Sequence, residues 1–190
     1  MYCHNRANRQ KNTACYDVIG KEIIMTKITY PYIPEGRTIE YVPSSNPFMR
    51  AAREMALTRS NDNSVKTGVV IVKNGEIIGR GANFSEYHST FTCVRVEKGC
   101  KSGEGYDLCA GCAPTNHAEP QAVKNAQAAG HDTTGADAYL WGHWWCCKDC
   151  WDAMISGGIE HYYLLEGSEV YFNKQDKEGN KLGRWDEIPN

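Results

Sequence analysis

Long apolar runs are missing from this 190-residue chain, and none is long enough to span a bilayer as a helix. Charge of one sign is equally scarce. The 21 basic and 23 acidic side chains leave a formal net charge of −2. No basic stripe or Lys/Arg-rich run stands out, which argues against a dedicated nucleic-acid binder. Internal repeats and low-complexity tracts are also absent. The opening residues Met1-Tyr2-Cys3-His4-Asn5-Arg6 are polar and lack the apolar core of a secretory signal. The expectation is a soluble, cytoplasmic protein with no membrane partner. With 41% hydrophobic and 23% charged residues, the chain suffices for one well-buried core.

Cysteine, by contrast, is abundant. The count of nine is odd, and most of these residues sit in tight groups with histidines nearby, which favours metal binding over a disulfide framework. A chain of this length does not need disulfide staples, and clustered cysteines in a cytosolic protein are more often metal-binding or catalytic. The most specific group is His117-Ala118-Glu119, followed further on by Cys147-Lys148-Asp149-Cys150. One imidazole and two thiolates make three ligands. A closed structural zinc site takes four protein ligands, whereas a catalytic site takes three and keeps a place for water. Glu119, two residues from His117, is then free to move protons to and from that water. Cys146-x3-Cys150 is a rival pairing, although C-x-x-C is the better attested spacing. A closed zinc site or a redox C-x-x-C is the alternative for the whole group, but Glu119 is spare and no fourth ligand is evident.

Punctuation by Pro31, Pro34, Gly36, Pro43 and Pro47 marks residues 1–45 as an N-terminal arm, lying over the domain or a neighbouring subunit or partly disordered. Residues 46–168 form the motif-bearing domain, with a Cys-rich insertion at 85–114, and 169–190 form a tail. Asn46-Pro47 reads as a helix cap and first turn, with Phe48, Ala52, Met55 and Ala56 on one face up to Arg59. Thr67–Lys73 is a strand run, Asn74-Gly75 a type I′ turn, and Glu76–Arg80 the returning strand. A helix follows from near His117 to Ala129, closed by Gly130. Ala138–Trp141 reads as a strand, Cys147–Ile155 as a helix, and Tyr162–Leu165 as a strand. Such alternation predicts an α/β fold with a sheet covered on both faces. It also puts each ligand group where a strand hands over to a helix, so two helix N-termini converge and favour thiolate over thiol.

From about Pro47 to Leu165 the chain resembles the cytidine/deoxycytidylate deaminase superfamily, closest to deoxycytidylate deaminases. The residues that carry this are Gly68-Val69-Val70-Ile71-Val72-Lys73-Asn74-Gly75, Gly81-Ala82-Asn83, the His-Ala-Glu and Cys-x-x-Cys motifs in that order, and Gly157-Gly158-Ile159. The resemblance implies a three-layer fold, a five-stranded mixed sheet with helices on both faces. It implies zinc held by His117, Cys147 and Cys150, with Glu119 shuttling protons in hydrolytic deamination of a cytosine nucleotide, most simply dCMP to dUMP. Asn83 would meet the sugar, the Ala118 amide the pyrimidine ring, and the Trp145 carbonyl the departing amino group. A small-molecule nucleotide partner and a homo-oligomer are implied, with a free nucleoside, a base in RNA or DNA, or a catalytically silent zinc protein as alternatives. Two departures stand out: Cys146 occupies the place where the family usually has proline, and Phe84-Ser85-Glu86-Tyr87 replaces a glycine/proline-rich loop.

A second constellation lies in the insertion. Cys93, Cys100, Cys109 and Cys112 would make a closed structural zinc site ordering a loop that lacks its own core, with His88 able to substitute for one of them. Several deoxycytidylate deaminases carry a structural zinc there. Free cysteines acting as small hydrophobes are the plain alternative. His143 could contact a substrate phosphate, with a satisfied structural histidine as its equal rival. Arg95 and Lys98 default to exposed loop charges.

Overall fold

The structure, a computed structural model, describes residues 2–4, 14–16, 22–23, 31–62, 65–100, 103–173 and 188. Three short strands, β1 (Tyr2–His4), β2 (Ala14–Tyr16) and β3 (Glu22–Ile23), pair antiparallel in a small sheet. The remainder of the 1–30 stretch and most of the tail after Asn173 lie outside the described residues.

The main sheet has five strands: β4 (Glu40–Val42), β5 (Gly68–Lys73), β6 (Glu76–Ala82), β7 (Ala136–Trp141) and β8 (Ile159–Leu165). Their spatial order is β4-β8-β7-β5-β6. The β4–β8 and β7–β8 pairs are parallel, and the β5–β6 and β5–β7 pairs antiparallel, so the sheet is mixed as expected. Three longer helices cover it: α1 (Pro47–Arg59), α4 (Ala118–Ala128) and α5 (Lys148–Ser156). The insertion holds the short helices α2 (Glu86–Thr90) and α3 (Val94–Glu97), and α6 (Ser168–Phe172) follows β8.

Strand β5 shows why both faces are covered. Val69 and Ile71 pack with α4 and α5 residues, while Val70 and Val72 pack with Met49, Ala52 and Ala56 of α1. Successive side chains of a strand point to opposite faces, so an unbroken apolar run fits a strand buried on both sides. Local chemistry sets the boundaries. Asn46 Oδ1 accepts from the Phe48 and Met49 amides at 2.9 and 3.1 Å, capping α1. Asn74 and Gly75 adopt φ of 53° and 81°, the two positive angles a type I′ turn requires. At Gly68 and Gly81 the sheet meets helix backbone so closely that a Cβ would overlap the Ala52 carbonyl in one case and the Ala118 carbonyl in the other.

The arm departs from expectation at its C-terminal end. Residues 40–42 form the edge strand of the main sheet, paired with β8. Tyr32 accepts a hydrogen bond from Trp151 Nε1 at 3.0 Å, and Arg37 donates to the Ile159 and Glu160 carbonyls. The tail likewise contributes to packing, since Phe172 and Ile188 are buried in the α1 layer. Among the described residues no helix is long and apolar enough to cross a membrane.

Candidate metal centre and active site

His117 and Cys147 are the N-cap residues of α4 and α5, two helices that lie against each other. Cys147 follows β7, as expected. His117 instead follows a 3-10 turn at Pro114–Asn116, so the insertion, not a strand, delivers it. Cys147 Sγ accepts from the Cys150 amide at 3.4 Å, which sets both sulfurs on one side of the first turn of α5. His117 Nδ1 stands 3.3 Å from Cys150 Sγ and 3.6 Å from Cys147 Sγ. A tetrahedral zinc with its usual bond lengths gives N···S edges of about 3.6 Å, so the three donors are spaced to share one ion.

Glu119 sits beside this trio, almost fully buried. Its Oε2 lies 3.3 Å from Cys150 Sγ, and its Oε1 lies 3.5 Å from the Tyr162 hydroxyl, which donates to it. Cys146, also buried, groups with Glu119 and Cys150 but does not join the His117 group. The expected thiolate-favouring effect of the helix ends is outweighed. The hydrogen bond to Cys150 and burial push Cys147 up, and burial first, then Cys146, pushes Cys150 well up. Burial works against a charged His117, but the bond to Cys147 and the charges of Cys147 and Glu119 hold its pKa above the ordinary value. Crowded donors that resist ionisation together are what a divalent cation reverses, since it deprotonates the thiols it binds.

The insertion carries a second group, with His88 in the place of one cysteine, the substitution the sequence left open. His88, Cys93, Cys109 and Cys112 converge, and Cys100 is left out. His88 Nε2 is 3.3 Å from Cys109 Sγ and 3.8 Å from Cys112 Sγ, and Cys93 Sγ is 3.4 Å from Cys112 Sγ. Tetrahedral zinc gives edges of about 3.6 Å for N···S and about 3.8 Å for S···S, so four donors fit a closed site. Gly111 makes room for it: a side chain there would collide with the His88 ring. Burial works against a Cys109 thiolate, but the hydrogen bonds from His88, from the Gly111 and Cys112 backbone and from the Cys112 side chain together outweigh it and bring Cys109 down to about 6. Burial, with Cys93 alongside, pushes Cys112 up to about 12.

The remaining expected contacts are mostly engaged in structure. Asn83 Oδ1 accepts from the Thr67 amide at 2.8 Å and its Nδ2 donates to the Val65 carbonyl at 2.7 Å, pinning the approach to β5. His143 Nδ1 accepts from the Trp144 and Trp145 amides, and its ring meets Trp145 edge-on at 4.7 Å. The Ala118 amide and the Trp145 carbonyl belong to buried residues flanking the trio. Arg95 is half-buried, its guanidinium 4.4 Å above the Tyr106 ring. Tyr162 beside Glu119 and Tyr106 beside His117 had no sequence signal, because each is brought in by tertiary packing.

A mixed sheet between helices, with an imidazole, two thiols and a carboxylate gathered at two helix ends, defines a zinc-binding deaminase-type domain. The chain belongs to the family described as "Cytidine and deoxycytidylate deaminase zinc-binding region", which matches residues 43–166. Zinc is therefore the cofactor of this domain. No curated protein matches the chain. Among solved structures, it is similar to the dCMP deaminase of cyanophage S-TIM5 in apo form, with 23% identity and a TM-score of 0.44 over 65% of this chain and 85% of that one. It is also similar to a Thermotoga maritima diaminohydroxyphosphoribosylaminopyrimidine deaminase/reductase, at 26% identity and a TM-score of 0.37. That match covers 62% of this chain but only 28% of the bifunctional protein. Guanine deaminase from Bacillus subtilis matches at 21% identity and a TM-score of 0.41, over 67% of this chain and 70% of that one.

Proposed function

We propose that the protein is a hydrolase that deaminates a cytosine nucleotide, dCMP to dUMP, releasing ammonia. The observation that carries this reading is the three-donor group His117, Cys147 and Cys150, with the Glu119 carboxylate 3.3 Å from Cys150 Sγ rather than serving as a fourth ligand. Zinc held by these three residues would supply Lewis-acid activation of the attacking water. Glu119 takes a proton from the attacking water, then delivers protons to ring N3 and to the leaving amino group, so that water and the amine exchange for a carbonyl and ammonia. Tyr162, donating to Oε1, holds the carboxylate in place for both transfers. Asn83, the Ala118 amide, the Trp145 carbonyl and His143 are the proposed substrate contacts. Asn83 keeps its structural bonds while doing so, through the second N–H of Nδ2. His88, Cys93, Cys109 and Cys112 are proposed to hold a second, structural zinc. A homo-oligomer is part of the same reading.

The choice of a small nucleotide is supported by the resemblance of the β5–β6 hairpin and Gly81-Ala82-Asn83 to deoxycytidylate deaminases, and by the near-neutral charge. A polynucleotide substrate wants a basic groove along its backbone. The test is to incubate the zinc-loaded protein with dCMP, deoxycytidine, cytidine and single-stranded oligonucleotides and to follow ammonia. Turnover of dCMP above the nucleosides is expected. Activity on oligonucleotides alone overturns the substrate, and activity on none overturns the enzyme assignment in favour of a silent zinc protein.

A further inference from the structure

The two metal-ligand groups are joined by a short run of packed side chains. Cys93 caps α3, and Arg95 lies two residues on, while Tyr106 opens the 3-10 turn that ends at Leu108, just before Cys109. Two ligands of the insertion group thus flank the two residues that reach towards the catalytic group. Arg95 hydrogen-bonds the Cys112 sulfur, its Nε donates to the Glu104 carbonyl at 2.7 Å, and its guanidinium covers the Tyr106 ring at 4.4 Å. Tyr106 in turn meets the His117 ring at 5.0 Å with the planes at 72°. His117 makes no side-chain capping bond to α4, and its ring meets both the two sulfurs, through Nδ1, and the Tyr106 ring.

We propose that Tyr106 is a positioning residue for the His117 ligand, and that a cation in the His88–Cys93–Cys109–Cys112 group, acting through Arg95 and Tyr106, sets how tightly the catalytic group holds its own. This rests on the zinc assignment for both groups. Three thiolates and an imidazole around a divalent ion carry one net negative charge, which Arg95 balances from the Cys112 side. The same guanidinium, stacked on Tyr106, clamps the tyrosine where its ring limits the swing of His117. Outer contacts that orient a ligating histidine govern affinity as well as geometry.

The test is competition for zinc against a chromophoric chelator, with cobalt(II) absorption bands as a second readout, on wild type, Tyr106→Ala, Tyr106→Phe and Cys112→Ser. Wild type is expected to bind two cations. Tyr106→Ala should keep both but hold the catalytic one about tenfold more weakly, with altered cobalt bands, while Tyr106→Phe, which retains the ring, stays within about threefold of wild type. Cys112→Ser should lose the insertion cation and weaken the catalytic one by a similar factor of about ten. Catalytic-site affinity and cobalt bands unchanged in Tyr106→Ala, with circular dichroism showing the fold intact, overturn the proposal. So does a wild type that binds a single cation. These are binding measurements, so a protein inactive on every nucleotide would refute the deaminase reading without touching this one.

Discussion

Replacing Gly81 by alanine presses a methyl group into the start of α4. The added Cβ would overlap the Ala118 carbonyl and the Ala122 amide, and would sit 2.9 Å from Ala122 Cα. Carbon atoms prefer 3.5–4.0 Å, so the helix must recede by roughly 1 Å. Overpacking of this kind costs about 1–3 kcal/mol, slightly offset by the lower backbone entropy of the unfolded alanine chain. At about 2–4 °C per kcal/mol for a domain of this size, a 2 kcal/mol cost lowers Tm by about 4–8 °C. Gly68→Ala is the matched control, because its Cβ would overlap Ala52 and Ala56 of α1 in the same way. Its stability loss should be similar, but α1 carries none of the ligands, whereas α4 carries Glu119 and is capped by His117. A displacement of about 1 Å near reacting groups costs on the order of 10²-fold in rate. Calorimetry and ammonia release on the two variants at a temperature where both are folded separate the effects. Gly81→Ala should lose about a hundredfold in kcat, and Gly68→Ala little. Equal activity in the two variants, or a Tm unchanged in both, would refute the argument that helix placement fixes the site.

Three further outcomes follow from the same geometry. Cys146→Ala should keep zinc in the catalytic group, whereas Cys147→Ala should lose it; metal content of the purified variants decides between the two pairings of Cys150. Stripping zinc with a chelator should expose the amides of residues 85–114 to hydrogen exchange while β5, β7 and β8 stay protected, because the insertion's two helices bury none of their own residues. Trp151→Phe should cost about 1 kcal/mol in denaturant unfolding, the value of the bond from its Nε1 to the Tyr32 carbonyl.

How far the sequence could be read depended on how local the determinants were. The β5–β6 hairpin and α1 are set by Asn74-Gly75 and Asn46, residues whose effect reaches only a few positions, and both elements form where the pattern puts them. The edge strand β4 escaped notice because three residues beside Pro43 have no periodicity, and their pairing with Tyr163–Leu165 is a contact across most of the chain. The two ligand groups differ in the same way. His117, Cys147 and Cys150 are announced by helix-turn spacing and a signature order. In the insertion, four cysteines compete with one histidine, and spacing does not say which four donors converge. The collision that a side chain at position 111 would make with His88 is the clue, and it exists only in three dimensions. The contacts of the Tyr106 ring with His117 and of the Tyr162 hydroxyl with Glu119 were illegible for the same reason, since tertiary packing brings each pair together.

Glu119→Gln is the most direct measurement, because glutamine keeps the size of the side chain while removing its ability to carry a proton. Zinc content should remain as in wild type, since His117, Cys147 and Cys150 are untouched, and ammonia release from dCMP should fall by at least about 10²-fold, the usual contribution of a general acid–base. Turnover near the wild-type rate, or loss of zinc together with activity, would contradict the assignment of Glu119 as the proton carrier beside an open three-ligand site.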